Sequence, residues 1–314
     1  MAEITIRPYH GSDESGLLAV WQAALGADPI TPRVFHTQVL LDPNFKADNL
    51  LVAEDSGQVR GFVLGVARQV PHFLDGLQPD SAWVTAFGVQ PGWERQGIGA
   101  QLFERLEAQF LTGGRKVIQI SPYVPNYFTP GVDSDAYPGA LAFLQARGYQ
   151  VIDRPVSMQM PLTAYRIPAE VTALEQQWAG QGYSFQPVRS ADLPDLLPFI
   201  AHHFGWEWRR HAQAYLQELF NGSDELSFWV ARRKGEVAGY CQMRRGRLGP
   251  FGVDPALRNQ GIGQVLLCRC LADQRSKGFH TAWFLWAEEA VSRLYERAGF
   301  TIVRRWAIFE KKLA

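Results

Sequence analysis

The sequence has little cysteine, no excess of either charge and no long apolar run. Its 314 residues include three Cys, too few for a disulfide framework and predicted to be reduced thiols in a cytoplasmic protein. Lys plus Arg number 31, as do Asp plus Glu, and this balance argues against a nucleic-acid partner. No run reaches the roughly 18 apolar residues of a transmembrane helix, and the first residues lack a signal-peptide pattern. We therefore expect no membrane partner.

The composition is that of an ordinary folded chain. Hydrophobic residues make up 46% and charged residues 20%, so the sequence has ample apolar material to bury and is not predicted to be disordered. The length predicts about two domains.

One block of sequence occurs twice. The segment FGVQPGWERQGIG at 87–99 recurs 164 positions later as FGVDPALRNQGIG at 251–263. Upstream, VAEDSGQVRG at 52–61 matches VARRKGEVAG at 230–239, and downstream ARGY at 146–149 matches RAGF at 297–300. Because the three blocks keep one order, they predict a single domain written twice.

The hydrophobic patterns predict an α/β fold in each copy. The second copy reads as a strand at 183–189, helices at 193–204 and 207–219, strands at 226–232, 236–244 and 247–253, a helix at 261–277, a strand at 281–287, a helix at 289–298 and a strand at 301–311. The first copy follows the same order, with strands near 3–8, 49–55, 58–68, 81–89, 115–121 and 149–161. We predict an N-terminal domain at 1–162, a linker with a short helix at 163–182 and a C-terminal domain at 183–314. The first copy is longer by 14 residues around 69–80 and by 13 around 123–135. The second insertion either walls an acceptor pocket or forms a rigid surface loop.

A strand, a glycine-rich turn and a helix N-terminus together make an anion site. The first N–H groups of a helix lack intrahelical partners, and glycine lets a phosphate approach the backbone. The turn has neither the P-loop pattern nor the third glycine of a dinucleotide fold. We predict a diphosphate-bearing ligand, the alternative being a glycine-capped structural turn.

Two motifs of the second copy resemble those of the GCN5-related N-acetyltransferases: VDPALRNQGIG at 253–263 and LYERAGF at 294–300. The resemblance extends to both copies and implies two such domains, each a mixed, mostly antiparallel sheet flanked by helices. It also implies acetyl-CoA as co-substrate and no metal. The residues implied to hold acetyl-CoA in the second copy are Phe251, Val253, Arg258, Asn259, Gln260, Gly261, Ile262, Gly263 and Gln264.

The resemblance also implies a mechanism. The strand that carries Val253 splays from its neighbour, and its amides polarise the thioester carbonyl. The acceptor amine attacks directly, and Tyr295 protonates the departing thiolate. Where the family often has an Asn, this chain has Glu288, either a candidate general base or a solvated carboxylate at a helix start.

The first copy departs further from the family pattern. Glu94 stands at the Arg/Gln position, and Leu144 stands at the tyrosine position, where it cannot donate a proton. This copy either binds CoA without catalysis or uses another acid, such as Tyr123 or Tyr137. The residues implied to hold CoA there are Val89, Arg95, Gln96, Gly97, Ile98, Gly99 and Ala100.

The early helices of the second copy carry the candidate acceptor-binding residues His203, Trp206 and Glu207. With His211 they follow a four-residue spacing that could mark a metal site, but Gly205 interrupts the pattern, and we predict a polar helix face instead. We expect an acetyl-CoA-dependent N-acetyltransferase that acts on a small primary amine through its second domain, as a monomer or homodimer. The alternatives are a non-catalytic acyl-CoA-binding or sensing protein and a protein N-terminal acetyltransferase.

Overall fold

The structure is a computed structural model that describes residues 4–313. It divides into two compact units. Unit 1 comprises the described residues up to Pro155 together with those from Arg304 onward, and unit 2 comprises Val156–Val303. The boundaries of the predicted domains are drawn from the sequence repeat, whereas the two units are defined by contacts in space.

The elements of the first half follow the predicted order, with β6 as an additional short strand. They are β1 (Thr5–Pro8), α1 (Glu14–Ala24), α2 (Pro32–Phe35), β2 (Leu50–Asp55), β3 (Gln58–Val66), β4 (Ser81–Val89), α3 (Ile98–Thr112), β5 (Val117–Ile120), β6 (Val132–Asp133), α4 (Pro138–Ala146), β7 (Gln150–Asp153) and β8 (Val156–Pro161). The single strand predicted near 149–161 is thus two strands.

The second half repeats this order. Its elements are α5 (Ala169–Ala179), β9 (Tyr183–Pro187), α6 (Leu193–Phe204), α7 (Trp206–Phe220), β10 (Leu226–Arg233), β11 (Glu236–Arg244), β12 (Arg247–Val253), α8 (Ile262–Ser276), β13 (Thr281–Ala287), α9 (Ser292–Arg297) and β14 (Thr301–Lys312). The helix predicted over 289–298 is shorter, because its first turn, Glu289–Val291, is a 3₁₀ turn.

Both sheets have the same plan. In unit 1 the strand order is β1-β2-β3-β4-β5-β14, with all neighbours antiparallel except the parallel pair β4 and β5. In unit 2 the order is β9-β10-β11-β12-β13-β8, and only β12 and β13 are parallel. The predicted fold class, a mixed and mostly antiparallel sheet flanked by helices, is confirmed.

The closing strands are exchanged between the copies of the repeat. Strand β8 belongs in sequence to the first copy but pairs with β13 in unit 2. Residues of β14 from Arg304 onward belong to the second copy but pair with β5, β6 and β7 in unit 1.

Each sheet buries both faces. In unit 1, Phe62 and Leu64 of β3 turn to the side of α1, and Val63 turns to the side of α3. In unit 2, Tyr240 of β11 lies among residues of α6 and α7, and Cys241 lies in the core cluster that includes α8. We call these the α1 face of unit 1 and the α7 face of unit 2.

Candidate active site

A cleft opens in each sheet where the two parallel strands part. In unit 2, β12 and β13 share one register pair, Arg247 with Trp283, and the rest of β12 leaves its neighbour. In unit 1, β4 and β5 pair from Ser81 to Val84, and β4 then continues to Val89 paired with β3 but not with β5. The splayed strand that the family resemblance implies is present in both units.

A β-bulge at matching positions turns the backbone of the splayed strand. In β12 the extra residue falls between Leu248 and Phe251, and in β4 it is Thr85. Beyond the bulge, the Asp254 N–H donates to the Ala238 carbonyl at 3.0 Å, so strand alternation directs the N–H groups of Phe251 and Val253 away from β11. These two N–H groups therefore face the cleft.

The loop after β12 leads its backbone into the N-terminus of α8. Asn259 and Gly261 have positive φ values of 61° and 83°, and Arg95 and Gly97 repeat them in unit 1 at 60° and 84°. The first α-helical bond of α8 runs from the Val265 N–H to the Gly261 carbonyl, so the preceding N–H groups lie outside the helical ladder. This geometry fits a pyrophosphate.

The two loops differ in charge at one position. In unit 2 the exposed Arg258 follows the strand, and its Nε lies 3.4 Å from the Val253 carbonyl, to which it donates. In unit 1 the equivalent Glu94 folds into the loop, where its carboxylate accepts from the Gly92 N–H at 2.8 Å. A pyrophosphate is attracted by the guanidinium and repelled by the carboxylate.

Helix α5 supports the loop of unit 2. The Trp178 indole donates to the Gln260 carbonyl at 3.2 Å, and Arg269 of α8 forms a bidentate ion pair with Glu175 at 2.6–2.9 Å. A Cβ on Gly261 would lie 2.5 Å from the Leu174 side chain, and the backbone of Gly261 is in the left-handed region. Glycine has no Cβ, so it avoids both this contact and the backbone strain.

Tyr295 lies beside the splayed strand. Its ring is 6.2 Å from Phe251 and 4.5 Å from Phe284, measured between centroids, and its side chain is half-buried. Among residues 4–313, no group hydrogen-bonds to its hydroxyl. Burial, with a smaller contribution from Cys241, raises the pKa of Tyr295 above its ordinary value, so the hydroxyl keeps its proton at neutral pH.

Unit 1 has no tyrosine at the position of Tyr295, and the hydroxyls of its two candidate tyrosines, Tyr123 and Tyr137, already form hydrogen bonds. Leu144, at the position of Tyr295, is fully buried in the core. Tyr123 is 1% exposed; its hydroxyl donates to Asp42 at 3.0 Å and accepts from Asn44 at 2.7 Å. Tyr137 donates to Asp28 at 2.8 Å.

Both insertions of unit 1 pack onto its α1 face. Arg68 donates to Gln78 of the first insertion at 2.8 Å and to the Val124 carbonyl of the second at 2.7 Å. Tyr123 and Trp83 pack together and are 1% and 4% exposed. This face is therefore closed beside the cleft, whereas Arg247 and Trp283 at the same place in unit 2 are half-buried.

The predicted acceptor-binding residues lie where α6 ends and α7 begins. Gly205, with φ of 91°, separates the helices. His203 packs 4.7 Å from Phe199, while Glu207 pairs with Arg210 at 2.5 Å and with His211 at 3.4 Å.

The junction between these helices reaches the splayed strand. The ring of Phe204 lies so close to Gly252 that a Cβ there would be 2.4 Å away. Glu288 is exposed, directly after β13.

In the described part of the chain, no group of three or more His, Cys, Asp or Glu is arranged to hold a metal ion. No helix among these residues is long and apolar enough to cross a membrane.

Two family models match the chain. Residues 21–127 match the acetyltransferase (GNAT) family, and residues 224–302 match an acetyltransferase (GNAT) domain, together more than half of the sequence. The chain belongs to the GCN5-related N-acetyltransferase family. It is a tandem GNAT protein, and it falls by class among the N-acetyltransferases, as its motifs predict. Members of the family use acetyl-CoA as co-substrate. Among curated proteins, no sequence matches the chain significantly.

Solved structures share the tandem fold at low identity. A GCN5-related glucosamine N-acetyltransferase region of a fungal multi-domain GH3 β-N-acetylglucosaminidase aligns with a TM-score of 0.78 and 20% identity, over 99% of this chain but 38% of that one. A GCN5-related N-acetyltransferase from Sphaerobacter thermophilus aligns at 0.70 and 16%, over 99% and 96%. A tandem GNAT protein from the clavulanic acid biosynthesis pathway aligns at 0.61 and 18%, over 99% of both chains.

The family motifs do not include the residues on the α7 face of unit 2. Gln242 and Arg247 lie on ordinary strands outside the family motifs, and neither has a distinctive spacing. A comparison of the two copies would have found them, because the aligned positions in the first copy hold Leu64 and Trp83.

Proposed function

We propose that the chain is an acetyl-CoA-dependent N-acetyltransferase that acts on a small primary amine through unit 2. The observation that carries this proposal is the difference between two otherwise equivalent clefts. Unit 2 has Tyr295 beside the splayed strand and a half-buried α7 face, whereas unit 1 has Leu144 there and a closed α1 face.

The residues of unit 2 fit acetyl-CoA. Arg258 and the backbone from Asn259 to Gln264 would hold the pyrophosphate, and the edge of β12 would hold the pantetheine arm. When bound, acetyl-CoA supplies the acetyl group as a thioester. The N–H groups of Phe251 and Val253 face the cleft and are the donors available to polarise a carbonyl placed there.

Two groups handle protons at the cleft. Tyr295 keeps its hydroxyl proton at neutral pH and is the candidate to deliver it to a leaving thiolate. Glu288, exposed at the end of β13, is the candidate to accept a proton from the acceptor ammonium, directly or through water.

Unit 1 is proposed to be non-catalytic. Its cleft retains the splay, the bulge and the glycine turn, but Glu94 places a negative charge in the loop. The buried Tyr123 and Arg68 occupy the acceptor side. We expect calorimetric titration with acetyl-CoA to show one tight site per chain, and loss of that site in Arg258→Glu.

A pair of tyrosine variants tests which unit acts. Acetyl transfer to a panel of small amines, including the glucosamine named for the fungal region, is followed by release of the free thiol. Tyr295→Phe should lower kcat about 10²- to 10⁴-fold while acetyl-CoA binding persists. Tyr137→Phe, the matched control in unit 1, should stay near wild type. The opposite pattern would move the activity to unit 1.

A further inference from the structure

The α7 face of unit 2 contains a polar side chain that the protein leaves unsatisfied. Gln242 is fully buried, and neither atom of its amide has a hydrogen-bond partner within residues 4–313. Its neighbours Cys241 and Met243 turn to the side of α8, so alternation places Gln242 on the α7 face. It stands opposite the bulge in β12, the point where that strand leaves β13.

Arg247 is a second polar side chain on the α7 face. Leu248 turns to the side of α8, so Arg247 lies on the α7 face, and its guanidinium is 5.8 Å from the centroid of the Trp283 ring. Although burial raises the pKa of Tyr215 on α7, the charge of Arg247 opposes that rise, which places Arg247 near this helix.

Arg247 also differs from Arg232 and Arg269, two half-buried arginines of unit 2 that form ion pairs. Arg232 pairs with Asp192 at 2.9 Å, and Arg269 pairs with Glu175 at 2.6 Å. Within residues 4–313, no carboxylate lies within ion-pair distance of Arg247. A half-buried guanidinium without a carboxylate is a ready partner for an external anion.

The first copy of the domain is an internal control. At the positions of Tyr240, Gln242 and Arg247 it has apolar residues, namely Phe62, Leu64 and Trp83. The polar set therefore occurs only in the copy whose face is half-buried, rather than closed, beside the cleft. A role in folding alone does not explain the difference, because the same strands fold in unit 1 with an apolar set.

We propose that Arg247 and Gln242 form the acceptor subsite of unit 2, and that the acceptor is an amine carrying an anionic group. Arg247 binds the carboxylate or phosphate through its planar fork of N–H groups, and Trp283 holds the guanidinium in place. Gln242 hydrogen-bonds a second polar atom of the acceptor. This inference rests on the proposed function and adds to it the charge of the substrate.

The test uses pairs of amines that differ only in charge. Amino carboxylates are compared with their amides, and aminoalkyl phosphates with the amino alcohols. We expect kcat/KM to favour the anionic member of at least one series by tenfold or more, and the two series distinguish a carboxylate from a phosphate. Arg247→Gln should lower kcat/KM for the anionic members about 10- to 100-fold and leave the neutral members unchanged.

Two further variants make the result specific. Arg244→Gln is the matched control, because Arg244 lies on the same face and already pairs with Glu218 at 3.1 Å; it should not alter the preference. Gln242→Leu installs the residue of the first copy, so it should fold and should raise KM for the preferred acceptor.

Three outcomes overturn the subsite. Equal kcat/KM for neutral and anionic amines would contradict the proposed subsite and leave the proposed function intact. An equal loss for both members of a pair in Arg247→Gln would show a structural role. Transfer to no amine, with acetyl-CoA still bound, would refute the proposed function and the subsite with it.

Discussion

At the scale of single residues, one amino-acid type performs different tasks according to its surroundings. Tyr123 is buried with its hydroxyl bonded to Asp42 and Asn44, and burial raises its pKa to about 12. Tyr295 is also buried enough to raise its pKa, but within the described residues its hydroxyl has no partner. Only the second arrangement leaves a proton available at the cleft.

The raised pKa of Tyr295 makes a prediction about pH. A general acid must be protonated to act, and the ordinary tyrosine pKa is already 10.0. Because burial shifts it upward, deprotonation of Tyr295 should not lower kcat until the pH exceeds about 10. The profile of kcat against pH should therefore rise with deprotonation of the acceptor and then stay level. A descending limb near pH 8 that is absent in Tyr295→Phe would contradict this assignment.

At the scale of elements, one extra residue in a strand determines which groups reach the cleft. Because side chains and backbone groups alternate along a strand, the bulge in β12 reverses their direction beyond Leu248. The bulge at Thr85, at the matching position of β4, shows that both copies of the domain have this feature.

Helix α5 gives a prediction about cofactor affinity. Trp178→Phe keeps the aromatic packing but removes the hydrogen bond to the Gln260 carbonyl, whose net value is about 0.5–1.5 kcal/mol. The loop should become less ordered, and the Kd for acetyl-CoA should rise roughly 2- to 10-fold by calorimetry. Trp229→Phe is the matched control, because the buried Trp229 N–H has no acceptor among the described residues and its loss removes no bond. An equal change in both variants would contradict a role for α5.

The elements also show how far local sequence information reaches. The predicted bounds of α6, β11, β12 and β13 agree with the structure to the residue, because each is an apolar segment with a glycine or a turn near one end. The predicted strand at 149–161 is wrong as one element because its halves pair with different sheets. That choice depends on long-range partners, which no local pattern encodes.

The candidate site divides in the same way. Tyr295 and the 258–264 loop are predicted because their chemistry depends on contiguous motifs. Arg247 and Gln242 are not, because their significance lies in the absence of a partner, and this appears only when neighbouring strands and helices are assembled.

At the scale of the whole molecule, the exchange of closing strands makes each unit depend on sequence from the other copy. Strand β14 supplies unit 1 with Phe309, fully buried in its core, and with Arg304, which pairs with Asp28 and Asp133 at 2.5 Å. Burial alone would raise the pKa of Asp133, but the Ala136 N–H and Arg304 outweigh it and lower that pKa. The cluster therefore stabilises unit 1 at neutral pH, and this stabilisation is lost as the pH falls through the lowered pKa of Asp133.

Removal of the last strand should consequently damage the unit at the other end of the sequence. A chain that stops after Val303 loses the partner of β5 and the fully buried Phe309, so we expect unit 1 to unfold at lower temperature than in the full chain. Hydrogen exchange should show lost protection at 117–120, while 281–287, which pairs with β8, keeps its protection. Arg304→Ala is the milder variant and should shift the same transition in the same direction, because it leaves Asp28 and the buried Asp133 without their cation. Loss of protection at 281–287 with 117–120 intact would mean that each copy closes its own sheet, and the exchange would then be wrong.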